Sequence, residues 1–150
     1  MSAPPGRADR PLPLPDSDTA PFWEGCARGE LLLQHCAGCE APRHPPRPMC
    51  PRCRSLDSKW SPATGRGAVY SFVICHPPVL PAFAADAPYA VVLIELEDGP
   101  GLRLVGGLAG CAPEALRIGL LVEVGFEPAG EGVWLPQWRP RNGPTEAAKP

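Results

Sequence analysis

Two Cys-x-x-Cys pairs, Cys36-Ala-Gly-Cys39 and Cys50-Pro-Arg-Cys53, stand ten residues apart in a chain of 150 residues. Each spacing lets the backbone close into a tight knuckle with both sulfurs on one side. Two facing knuckles put four thiolates at tetrahedral positions about 2.3 Å from a zinc ion. Gly38 suits the first turn, and Pro51 pre-sets φ in the second. One pair alone would be ambiguous with a redox dithiol. Two pairs around a short hairpin predict one structural zinc per chain, held by Cys36, Cys39, Cys50 and Cys53. Four protein ligands leave no open position, so this zinc does not activate water. The chain has seven cysteines, and Cys26, Cys75 and Cys111 stand apart from the pairs. An odd set argues against a secreted disulfide framework, and Cys26 and Cys111 read as small apolar fillers.

Zinc with four thiolates is doubly negative, and Arg43, Arg47, Arg52 and Arg54 surround it in sequence. Two roles are open to these arginines: neutralising the cluster and donating to sulfur, or, for Arg43 and Arg47, holding an anionic ligand such as a phosphate. Other chemistry is sparse. The sequence has no Gly-x-Ser-x-Gly elbow, no phosphate-binding glycine loop and no His-Glu-x-x-His. Glu95 and Glu97 share a strand face and read as solvated, and His44 reads as a surface residue. Cys75 and His76 are adjacent, but neighbours on a strand point to opposite faces, a poor arrangement for a nucleophile and its base. The formal charge is -2, and residues 61–150 carry six Lys/Arg against nine Asp/Glu. A single-strand-binding groove needs basic residues and stacking aromatics, so a zinc-ribbon/OB-fold module for nucleic acid or general protein binding is the weaker alternative.

The elements that must position these residues follow from pattern. The 23 prolines and 16 glycines cluster in part at the start. Residues 1–16 read as a disordered arm with no apolar run of a signal peptide. Residues 17–60 form a helix and the ribbon, 61–140 a barrel, and 141–150 a tail. Thr19 to Arg28 reads as a helix with Thr19 as N-cap, Pro21 in the first turn and Gly29 as the stop. Phe22, Trp23, Cys26 and Ala27 then share a face, which packs on its own domain or docks another subunit. Leu31 to Leu33 is a strand. Tyr89 to Glu97 alternates, with Ala90, Val92, Ile94 and Leu96 on one face, and Asp98-Gly99-Pro100-Gly101 turns it into a hairpin with residues 102–108. Ala112 to Ile118 reads as one or two helical turns. Leu120, Val122, Val124 and Phe126 face inward from the next strand, and Pro136 makes the last strand an edge or ends it.

Three strands, a short helix and two strands within about 75 residues match the OB-fold, a five-stranded barrel. A β-sandwich would need more strands than the pattern supplies. The longest stretch without charge, residues 67–85, contains Pro77, Pro78 and Pro81 and splits into strand and loop, so no membrane span is expected, and the cytoplasm is the default location. The fold class is therefore mostly β: N-terminal helix, four-cysteine zinc ribbon, then an OB-fold barrel with a short helix between strands 3 and 4. The loop His76 to Pro88 joins the first two barrel strands, where OB-folds commonly place ligand contacts. It carries Val79, Leu80 and Phe83 with one charge. It either plugs its own barrel or meets a partner or ligand, with Leu80 and Phe83 as anchors and His76 at the base.

In order along the chain, TAPFWEG, GELLLQHCAGC, PPRPMCPRC, SPATGRGAVYSF, PYAVVLIEL, LRIGLLVEVGFE and LPQWRP resemble one family. It is the zinc-ribbon plus OB-fold acyl-CoA-associated proteins, and the resemblance runs from about Thr19 to Pro140. Glu40 stands where the family often has glycine, and Gly106-Gly107 where it often has asparagine. The resemblance implies a non-catalytic accessory subunit, with no turnover alone, in a complex that forms or cleaves carbon–carbon bonds in CoA thioesters. It implies a thiolase-like or related acyl-CoA enzyme as partner, with acyl-CoA at the shared interface.

Overall fold

The protein is described here by a computed structural model covering residues 10–141. Its elements are α1 (Ala20–Ala27), β1 (Leu32–Cys36), β2 (Pro42–Arg43), β3 (Ser58–Pro62), β4 (Arg66–Cys75), β5 (Tyr89–Leu96), β6 (Arg103–Leu108), β7 (Leu121–Gly130) and β8 (Val133–Pro140). Short 3-10 turns cover Pro81–Asp86 and Pro113–Ala115. Of the arm expected over 1–16 and the tail expected over 141–150, residues 1–9 and 142–150 lie outside the described residues. Residues 10–16 run against the barrel, with Arg10 Nε donating to Ala82 O at 2.9 Å.

Capping of α1 begins earlier than expected. Asp16 Oδ1 accepts from Thr19 N at 2.8 Å and from Thr19 Oγ1 at 2.7 Å. Asp16 N in turn donates to Thr19 Oγ1 at 3.1 Å. Thr19 therefore makes no side-chain cap bond of its own. An ionised Asp satisfies several donors at once, and its short side chain folds back into an Asx turn more readily than threonine does. The C-terminal stop is as expected: Gly29 sits at φ 76, and Glu30 N donates to Gly25 O at 2.9 Å. Phe22, Gly25 and Cys26 are buried, and α1 packs on β8. The helix thus uses its apolar face within its own chain.

β1 is the centre of a small sheet ordered β2-β1-β3. The boundary expected between residues 60 and 61 falls inside β3, which pairs with β1 from Leu32↔Pro62 to Cys36↔Ser58. β4, β5, β6, β8 and β7 close a barrel in that order. Along β5 the expected alternation holds, with Val92, Ile94 and Leu96 buried. The same alternation places Leu120 and Val122 in the core and Val124 and Phe126 against it.

The structure departs from expectation at two places in the barrel. β8 is no edge strand: it pairs antiparallel with β7 over its length and parallel with β6 at Gly107↔Gln137 and Leu108↔Trp138. Pro136 is tolerated because it pairs with Phe126 of β7 but precedes the first rung to β6, so no ladder on that side needs its missing N–H. The helix expected over residues 112–118 shrinks to the 3-10 turn, after which Leu116 is extended at φ -71, ψ 126. Extending the chain there lets both Leu116 and Leu120 reach the core, which outweighs one more weak helical turn.

One contiguous hydrophobic cluster joins the two parts. Phe22, Cys26, Leu31 and Leu33 from the helix and ribbon meet Val69, Ile94, Val122 and Trp138 from the barrel. Trp138 is fully buried, and its indole fits only because residue 106 is glycine: a Cβ there would stand 2.8 Å from Trp138 Cδ1. No helix is long and apolar enough to cross a membrane among the described residues.

Candidate metal centre and barrel mouth

The two knuckles repeat each other almost bond for bond. After the first, Glu40 N donates to Cys36 O at 3.0 Å, and Cys36 N donates to Ala41 O at 3.0 Å. After the second, Arg54 N donates to Cys50 O at 2.9 Å, and Cys50 N to Ser55 O at 2.9 Å. Each turn ends on a left-handed residue, Glu40 at φ 59 and Arg54 at φ 64. That conformation favours glycine, yet both positions carry larger side chains. Here an ion pair with Lys59 holds the Glu40 side chain.

The four sulfurs lie within 4.8 Å of one another, with Cys36 Sγ 3.4 Å from Cys53 Sγ and Cys39 Sγ 3.7 Å from Cys50 Sγ. A tetrahedron with zinc–sulfur bonds of about 2.3 Å needs edges of about 3.8 Å, so the donor set fits one such ion. Backbone N–H groups are aimed at the sulfurs: Gly38 N and Cys39 N donate to Cys36 Sγ at 3.3 and 3.4 Å. The N–H of Cys39 holds the Cys36 thiol below its ordinary range, and the N–H groups of Cys53 and then Arg52 bring Cys50 down to about 6. Against the pull of the Ser55 N–H, the neighbouring sulfurs push the Cys53 thiol the other way, up to about 11, so the four thiols do not all ionise without a cation, and a metal binds them as thiolates.

The arginines near the cluster separate by burial. Arg43 is 7% exposed. Its Nε donates to Gln34 Oε1 at 2.5 Å and its Nη2 to Arg47 O at 3.1 Å. Arg47 N donates to the same Gln34 oxygen at 2.9 Å. Arg43 thus braces the hairpin between the knuckles, with its Nη1 buried and without a hydrogen-bond partner among the described residues, while Arg47 itself is exposed. Gln34, which sequence reasoning passed over, is the hub of this network and 4% exposed. Its signal was a lone amide inside the apolar run LLLQHC.

His44 is half-buried, with its ring 5.4 Å from that of Phe22. Burial pushes its imidazole down to about 4, so the ring is neutral at pH 7 and is no surface residue. Phe22, one of the candidate partner contacts, is 5% exposed and belongs to the core. Trp23 is half-buried and stacks edge-on against Phe22 at 4.9 Å.

The remaining candidates gather at one end of the barrel. Leu80 is 68% exposed, and His76 is exposed as well. Phe83 is half-buried on the 3-10 turn, 5.8 Å from the ring of Tyr89. Arg10 lies 4.5 Å above the Phe83 ring and pairs with Asp86. Between this turn and the β7–β8 hairpin runs a cleft of about 280 Å³, lined in part by Leu12, Phe83, Tyr89, Val91, Leu108 and Leu135. Cys75 stands opposite Tyr89 in the β4–β5 register, while His76 lies beyond the strand end, so the two are not assembled as nucleophile and base.

A closed four-sulfur ribbon fused to a five-stranded barrel defines a zinc-ribbon/OB-fold protein. Residues 23–57 match the ChsH2 rubredoxin-like zinc ribbon domain, and residues 60–127 match the ChsH2 C-terminal OB-fold domain. The chain belongs to this ChsH2/DUF35 family. It is 41% identical over 134 residues to a probable enoyl-CoA hydratase alpha subunit of Thermomonospora curvata, covering 89% of this chain and 41% of that one. The chain therefore spans about two fifths of that relative's length. A DUF35 domain-containing scaffold protein of Methanocaldococcus jannaschii is 37% identical over 98 residues, covering 64% of this chain and 67% of the relative. Among solved structures, a chain of the Ltp2-ChsH2(DUF35) aldolase superposes with a TM-score of 0.79 at 41% identity, covering 85% of this chain and 98% of that one.

Proposed function

We propose that this chain is a non-catalytic accessory subunit that binds and supports an enzyme acting on acyl-CoA thioesters. Its partner is a thiolase-superfamily or related subunit in the cytoplasm, and the barrel mouth contributes to the acyl-CoA site between them. The observation that carries the reading is the likeness over 85% of the chain to a chain of the Ltp2-ChsH2(DUF35) aldolase. The chemistry of the chain agrees with it. The metal centre offers four cysteine ligands and no open position. The apolar 3-10 turn with Leu80 exposed supplies contact area of the kind that partners cover.

The test is recovery of the tagged full chain from its native host, with co-purifying proteins identified by mass spectrometry. A CoA-thioester enzyme subunit in stoichiometric amount is the expected result, together with no thioesterase, thiolase or aldolase turnover by the chain alone. Robust turnover by the purified chain, or nucleic acid as the sole companion, would overturn the reading.

A further inference from the structure

The cleft at the barrel mouth has a chemical character that goes further. Leu12, Phe83, Tyr89, Val91, Leu108 and Leu135 make most of its wall apolar. Gln137 also lines it, directly over Gly107: a Cβ on residue 107 would stand 2.6 Å from Gln137 Oε1. The absence of a side chain at 107 is what lets the carboxamide lie in the cleft. Among the described residues that carboxamide has no protein partner, and its atoms are open to solvent in the cleft. An amide at which only water can supply partners is a group whose hydrogen bonds a ligand carbonyl or hydroxyl can take over.

The charges bordering the cleft narrow the ligand. Its lining holds one cation, Arg10, and two carboxylates, Asp86 and Glu127. Arg10 is committed to Asp86, to Ala82 O and to the Phe83 ring, and Arg139 stands 3.5 Å from Glu127. Among the described residues no uncommitted cation remains in the lining to receive an anion, which disfavours the nucleotide end of CoA here.

We infer that this cleft binds the body of a neutral, largely apolar ligand carrying a single carbonyl or hydroxyl group, which pairs with the Gln137 carboxamide. The inference rests on the proposed function for the source of that ligand, the acyl half of a thioester; the cleft chemistry itself is independent of any partner. Arg10 acts as a positioning residue. It ties the segment carrying Leu12 to the 3-10 turn and so holds two walls of the cleft together. Leu12 in turn rests on Gly130, where a Cβ would stand 2.8 Å from its Cδ1.

The sequence contains two glutamines and one asparagine, Gln34, Gln137 and Asn142, so the side-chain amide region of a 1H–15N spectrum holds three pairs of signals. The full chain, zinc-loaded, is titrated with 2-undecanone, with undecane and with dodecanoate at pH 7. The ketone is expected to shift the Gln137 pair and to bind about fivefold tighter than the hydrocarbon, with the carboxylate at least about tenfold weaker than the ketone. Gln137→Leu should erase the ketone–hydrocarbon difference while hydrocarbon binding persists. Arg10→Ala should weaken both. A Gln137 pair that stays in place up to the solubility limit of the ketone, or a carboxylate that binds as well as the ketone, overturns the inference. Partner recovery without ketone binding would end this inference and leave the proposed function standing. Ketone binding without any acyl-CoA partner would do the reverse.

Discussion

Cys36 and Cys50 are the inner pair of the metal site, 0% and 1% exposed, while Cys39 and Cys53 face outward. Replacing an inner sulfur removes a ligand where water cannot easily substitute. Cys50→Ser should lower zinc, measured by elemental analysis of pure protein, from about one equivalent per chain to below about 0.2. His44 gives a second handle. Its imidazole titrates near 6.5 in an unfolded chain but is held down to about 4 by burial. Between those values the unfolded chain binds the extra proton, so this contribution to stability is complete above about pH 6.5 and is lost as pH falls toward 4. The loss amounts to up to about 3 kcal/mol. His44→Phe keeps an aromatic ring against Phe22 and should flatten this part of the curve. Thermal midpoints of both proteins at pH 4.5, 5.5 and 7 measure the difference, which separates the histidine from acid release of the metal common to both. The ligands were legible because their spacing is their geometry. The roles of Arg43 and His44 were not, because only packing decides whether a polar side chain between prolines points inward.

At the scale of elements, alternation made β5 and β7 readable, since a strand with one buried face repeats every second residue. β8 was misjudged from Pro136, because sequence shows that a proline lacks its N–H but not which side of the ladder misses it. The segment around Pro113–Ala115 was read as helix from propensity, and burial of Leu116 and Leu120 prevailed. Gly106 belongs to this scale too, because the β6–β8 contact closes over it. Gly106→Ala would force the Trp138 indole to move within a filled core, and it should destabilise the chain by about 1–3 kcal/mol. Urea unfolding followed by tryptophan fluorescence measures this, with zinc content unchanged. Gln34→Leu acts on the other sheet: it strands the buried Arg43 guanidinium. A chelator should then extract the metal faster, in a time course followed with a coloured zinc indicator, while the barrel keeps its strand signal in circular dichroism.

For the whole molecule, the ribbon and the barrel share one hydrophobic cluster, yet they differ in what holds them. The ribbon's three strands are two to five residues long, too short to stand without a cross-link, whereas the barrel strands run six to ten residues. Metal removal should therefore cost β1, β2 and β3 their amide protection while β5 and β6 keep most of theirs, as read by hydrogen exchange with mass spectrometry. The overall plan was visible in the order of patterns. The docking of residues 10–16 was not, since a proline-rich arm reads as disorder and one arginine fixes it. The barrel's ladders are also uneven. β4–β5, β5–β6 and β7–β8 are joined by five to eight paired positions, but β4–β7 has three and β6–β8 two. The backbone thus divides the barrel into a meander and a hairpin, riveted by five rungs and the shared core. A chain cut between Gly110 and Gly119 would leave each piece its own long ladders, with five backbone rungs and side-chain burial to reunite them. The fold accordingly lends itself to fragment complementation, in which recovery of one half by the other would report the strength of the core with the peptide connection removed.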